Sequence, residues 1–172
     1  MDKRIILNSG TVYNLEDFYM SNLLKNDSLL NELDMKTLPD TFIKVFGVKC
    51  LDACKPILLK KIDLYDQSPA VNSFIYKGKT YWLDKQQRSC MKTVAESGLE
   101  TIEIVFGEHN IVLPAEFVKQ FILNLEAYAY KCFVVTAKHK QHASALTNYE
   151  DILNYDYTSG YPDKIVLEWV LG

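Results

Sequence analysis

The stretch PAEFVKQFILNLEAYAYKCFVVTAKHKQHASAL, Pro114 to Leu146, decides the fold. Its bulky or apolar positions are Phe117, Phe121, Leu125, Tyr128, Cys132, Val135, His139, His142 and Leu146. They recur at steps of four and three, which holds one side of an α-helix toward one direction. At 1.5 Å per residue the segment is roughly 50 Å long, more than most globular helices. Pro114 stands in the first turn, where a missing N–H costs nothing. No other stretch supports as much packing.

Immediately before this helix the pattern is that of strands and turns. Ser73 to Tyr76 and Lys79 to Leu83 read as strands joined by a tight hairpin at Lys77-Gly78. Asp84 and Gln87 have capping-box spacing, which predicts a helix running to about Ser97 and stopping at Gly98. Glu100 to Phe106 alternates as a strand, Gly107-Glu108-His109-Asn110 turns it, and Ile111 to Leu113 returns. After the long helix, Thr147 and Glu150 form a second capping box, predicting a short helix from Asn148 to Asn154. Thr158-Ser159-Gly160-Tyr161-Pro162 is a turn, and Lys164 to Leu171 alternates as a closing strand.

Further toward the N-terminus, Arg4 to Leu7 reads as a short strand closed by Asn8-Ser9-Gly10. Asn14 is placed to cap a helix striped by Leu15, Phe18, Tyr19, Leu23 and Leu24, and Ser28 to Met35 reads as a second helix. Thr41 to Val48 and Lys55 to Leu64 read as strands, with Pro56 keeping the second at an edge. Asp66-Gln67-Ser68-Pro69 is the best linker, so the expected division is an N-terminal docking domain, 1–66, and a second domain, 67–172. The expected class is α+β, with small antiparallel sheets and a long C-terminal helix. Short connections favour antiparallel pairing, because parallel pairs need long crossovers.

With 172 residues and a net charge of −3, the chain has a globular composition but no electrostatic footprint for nucleic acid. No stretch has the h-region of a secretory signal or the ~20 apolar residues of a membrane span. Cys50, Cys54, Cys90 and Cys132 are spaced too irregularly for a disulfide framework and read as reduced, as in a cytoplasm.

The residues offer little catalytic chemistry. Cys50 and Cys54 are a lone C-x3-C pair, and His139 and His142 sit in a locally cationic segment; neither supplies the four ligands of a structural zinc site. Glu100 and Glu103 point to opposite faces of a strand and cannot pair as a glycosidase does. No nucleophile elbow, P-loop or dinucleotide fingerprint occurs. We therefore expect no catalytic, metal or cofactor site and no small-molecule substrate. The eleven tyrosines are more informative. Tyr149, Tyr155, Tyr157 and Tyr161 crowd the segment after the long helix, where they serve either a protein interface or the domain's own core.

Val71-Asn72-Ser73-Phe74 followed by Lys79-Thr80-Tyr81-Trp82-Leu83-Asp84-Lys85 resembles the opening of a small domain of phage tail-associated and tail-fibre proteins. It is most similar to versions from phages and prophages of gut Bacteroidetes, including crAss-like phages. The likeness continues through Leu125-Glu126-Ala127-Tyr128-Ala129, Cys132, His139, Ala145-Leu146-Thr147, Glu150 and the run Tyr155 to Pro162. It spans about residues 70 to 170 and leaves 1–66 without a counterpart.

The resemblance implies a structural protein of a bacteriophage virion, made in the host cytoplasm. Its place would be a multi-copy adaptor, ring or fibre-attachment subunit in the tail or head–tail region. The implied partners are other tail proteins and further copies of itself. It carries no catalytic residues. A fibre-assembly chaperone that leaves before the particle matures is the alternative. A small hydrolase acting on surface glycan or peptide has the least support.

Overall fold

The computed structural model describes residues 4–6, 12–14, 25, 27–32, 35–36 and 51–168. The expected helix over 15–24 and the expected strand over 41–48 lie outside these residues. The class is α+β: helices with small antiparallel and mixed sheets, and one helix far longer than the rest. The chain divides into two compact units, Met1–Tyr65 with Thr136–Ser159, and Asp66–Val135 with Gly160–Gly172.

In the first unit, β1 (Arg4–Ile6) pairs antiparallel with β2 (Val12–Asn14), with Ile5 opposite Tyr13. Asn14 ends β2, and the helix it was expected to cap lies outside the described residues. Next comes the short helix α1 (Asp27–Glu32). The segment Lys55 to Leu64, read above as a strand, belongs to the helix α2 (Leu51–Gln67). The reason is visible in its burial: Cys54, Ile57, Leu58, Lys61 and Ile62 are buried, at steps of three and one, which is one face of a helix. Pro56 is exposed in the second turn, where it removes one rung of the ladder. Lys61 keeps its charged end satisfied by donating Nζ to the Leu30 carbonyl at 2.6 Å, while its stem fills the core. The core of this unit gathers Leu30, Met35, Cys54, Ile57, Leu58, Ile62, Ala143 and Ile152.

The second unit begins with a hairpin, β3 (Phe74–Tyr76) and β4 (Lys79–Tyr81), in the antiparallel register Phe74 to Tyr81. Its two-residue turn has positive φ at both Lys77 (+48°) and Gly78 (+72°), the geometry that matches strand twist in a tight hairpin. The helix α3 (Lys85–Ala95) follows. Its N-cap Asp84 accepts from the Gln87 N–H, and the Gln87 side chain accepts from the Asp84 N–H, both at 2.8 Å. This is the expected capping box. β5 (Thr101–Phe106) and β6 (His109–Pro114) form a second hairpin, turned by Gly107-Glu108 alone. His109 and Asn110 therefore start the return strand instead of forming the turn.

The helix α4 (Ala115–Ala145) starts one residue after Pro114, which closes β6. Its 31 residues are about 47 Å long. Its buried face runs through Val118, Phe121, Ile122, Leu125, Tyr128, Cys132, Thr136 and Ala143; Phe117 and His142, placed on the apolar side by the sequence reading, are exposed. A last short helix, α5 (Tyr149–Asn154), is capped by Asn148, not Thr147, through a bond from the Glu150 N–H.

The closing strand is short, β7 (Val166–Leu167), and it pairs parallel with β3. This corrects the wholly antiparallel expectation. About ninety residues separate the two strands, ample for a crossover, and β7 extends a sheet ordered β4-β3-β7. Phe74 anchors this unit's core, with edge-on rings from Phe106 and Phe121 both at 5.5 Å. Burying a ring of this size contributes about 1.5–3 kcal/mol.

Candidate functional site

The first third of α4 lies against the β5–β6 hairpin, whose inward residues Ile102, Ile104, Phe106, Ile111 and Leu113 share its core. Hydrogen bonds then fix its rotation. Tyr128 donates its hydroxyl to the Val71 carbonyl at 2.6 Å, in a buried position. The buried Arg88 of α3 donates Nε to Glu126 Oε1 at 2.8 Å and a terminal N–H to the Leu83 carbonyl at 2.6 Å. Its guanidinium also lies over the Trp82 ring at 4.9 Å, and Trp82 meets Tyr128 edge-on. A desolvated guanidinium needs this many partners, because an unpaired buried charge is expensive. The residues around Trp82 and Glu126 are thus a scaffold that orients α4.

That orientation leaves an apolar surface pointing outward. In the segment 121–135 the charged residues are Glu126 and Lys131 only. Leu123, Ala127, Tyr130 and Phe133 are exposed, and Val134 is half-buried. Tyr130 is 67 % and Phe133 63 % exposed, and their rings stack at 6.4 Å. A helix apolar on every side is ordinarily buried on every side. Here the face away from the core is open, and it is the strongest candidate interaction surface among the described residues. The sequence reading followed the inward stripe and passed over this one, although its four-and-three spacing was equally present.

The histidine and tyrosine candidates lie at the other end of α4. His139 places Nδ1 2.9 Å from the Tyr155 hydroxyl and Nε2 2.9 Å from the Ser159 carbonyl. A carbonyl only accepts, so Nε2 carries the proton, and in the neutral ring Nδ1 accepts from Tyr155. Both ring nitrogens are thereby engaged in holding the segment after α5. Burial, and then the Asp156 charge, push the Tyr155 phenol above its ordinary pKa. Asp156 is held below the usual carboxylate range by the Thr158 hydroxyl and N–H, which both donate to Oδ1. Tyr157 meets Tyr65 edge-on, while Tyr149, Tyr155 and Tyr157 pack against the core of the first unit. Tyr161 is half-buried in the second.

The remaining candidates do not converge. Cys54 is buried in the core, and Cys50 lies outside the described residues. Glu103 accepts from the Asn110 side chain across the β5–β6 hairpin. Among the described residues, no group of three or more His, Cys, Asp or Glu side chains is placed to hold a metal ion. No helix among them is long and apolar enough to cross a membrane. No protein-family model, curated protein or solved structure matches this chain.

Proposed function

We propose that this protein is a multi-copy structural subunit of a bacteriophage virion, an adaptor, ring or fibre-attachment component of the tail or head–tail region. The outward face of α4 carries the assembly part of this reading. Aromatic rings exposed to this degree on a helix locked in orientation from behind are suited to a protein partner. The phage setting comes from the resemblance around Trp82, Glu126 and the Tyr155 to Pro162 run. In this role the chain positions other tail proteins and performs no reaction.

The test is mass spectrometry of gradient-purified virions with the copy number per particle. Several copies, at a multiple of a tail symmetry, are the expected result. Abundance in infected cells with absence from virions would replace this reading with that of an assembly chaperone.

A further inference from the structure

We propose that the outward face of α4 joins two copies of this chain, with their α4 helices parallel and in register. Leu123, Ala127, Tyr130 and Val134 follow one another at steps of four, three and four. This is the spacing of a two-stranded helical seam, in which equivalent residues of two helices meet. Two heptads make a short seam rather than an extended coiled coil.

The flanking charges select the direction. Glu126 and Phe133 border the seam on one side, Asn124 and Lys131 on the other. In a parallel pair, the residue before one seam position meets the residue five further along on the second helix. Glu126 of each copy then faces Lys131 of the other, twice by symmetry. Both side chains are available: Lys131 is exposed, and Glu126 is 44 % exposed although Oε1 accepts from Arg88. An antiparallel pair brings flanks of the same kind together, so the lysine side meets the lysine side and both attractive pairs are lost.

The area sets the strength. Tyr130 and Phe133 each offer roughly 100–150 Å², and with Leu123, Ala127 and Val134 the patch comes to about 400 Å² per copy. Two copies bury about 800 Å² through this seam, below the ~1,200 Å² at which standard stable interfaces begin. The pair is therefore concentration-dependent in dilute solution and gains strength where neighbouring copies are held close together. It follows from the face itself and not from the virion reading: absence of the protein from particles would leave it standing.

The experiment is sedimentation velocity on the full chain from micromolar to millimolar concentration, with circular dichroism to confirm folding. Reversible dimerisation is expected, weakened about tenfold or more by Tyr130→Glu and about threefold by Lys131→Glu. In a Cys50→Ser, Cys90→Ser background, Ala127→Cys and Val134→Cys are then oxidised separately. Each should cross-link to its own copy, because only parallel helices in register bring both positions to their equivalents. A folded chain that stays monomeric throughout, or a dimer indifferent to Tyr130→Glu, overturns the proposal. So does self-cross-linking at only one of the two positions. A monomer that binds a different tail protein through Tyr130 would assign the face to that partner instead.

Discussion

Replacing Arg88 by Met keeps most of the side-chain volume and removes the charge. Three interactions go with it: the bond to the Leu83 carbonyl, the pair with Glu126, and the contact over Trp82. A hydrogen bond from a charged group contributes about 1.5–3 kcal/mol. The pair with the half-exposed Glu126 adds about 1 kcal/mol after solvent screening, and the guanidinium over the indole about 1 kcal/mol. Against this sum stands the desolvation cost that the buried guanidinium no longer incurs. We expect a net loss of about 2 kcal/mol for Arg88→Met, a large part of a typical 5–15 kcal/mol. Glu126→Met leaves the guanidinium buried with one partner fewer and should cost about 1.5 kcal/mol. The double variant should lose only about 2.5 kcal/mol, a coupling of about 1 kcal/mol. Urea unfolding followed by Trp82 fluorescence in a Trp169→Phe background measures all three. Additive losses, or Arg88→Met within about 0.5 kcal/mol of the parent, would refute the view that this pair fixes α4.

Gly107 and Gly78 both have positive φ, at +56° and +72°, but only at Gly107 would a Cβ meet a neighbour, the Tyr81 ring at 2.5 Å. Gly107→Ala should therefore cost about 2 kcal/mol or more and Gly78→Ala about 1 kcal/mol, read from urea midpoints. In the native protein iodoacetamide should modify the exposed Cys90 well before the buried Cys54 and Cys132, because burial also pushes the Cys132 thiol up and lowers its thiolate fraction. Peptide mapping with and without denaturant reads this order. Asp156 is held below its ordinary range, so the stability it contributes is present above that range and lost as pH falls through its lowered value. Asp156→Ala should be destabilising near neutral pH, and thermal unfolding at stepped pH should show the gap to the parent closing in acid.

Where local chemistry decides the backbone, the sequence was legible. Lys77-Gly78 specified a two-residue turn, Asp84 and Gln87 specified a helix start, and both are found with the anticipated geometry. Ile57-Leu58-Leu59 was ambiguous, since a short continuous apolar run fits a buried strand or a buried helix face. Pro56 confined the expected strand to an edge, and within α2 the rung it removes is outweighed by the packing of the buried face. The parallel pairing of β7 was not readable either, because Val166 and Leu167 meet Ile75 and Tyr76 only after the intervening chain has folded. Among the site residues, His139 and Tyr155 were noticed separately, but nothing in their spacing announced the hydrogen bond between them. The outward face of α4 was written in the same spacing as the inward one. A pattern of hydrophobic residues locates a surface to be covered without saying whether the same chain covers it.

The helix α4 serves as backbone to both units, since its residues up to Val135 belong to one and those from Thr136 to the other. One cut therefore cannot release the segment 67–172 as a self-sufficient cassette. It would carry Ala143 and Ile152 away from Cys54, Ile57 and Ile62, with which they share a core. Recombination that exchanges such a module between genomes has two workable outcomes. Either it brings a replacement for residues 1–66 able to cover that surface, or it moves the chain whole, because the tail from Gly160 returns to the unit that holds β3.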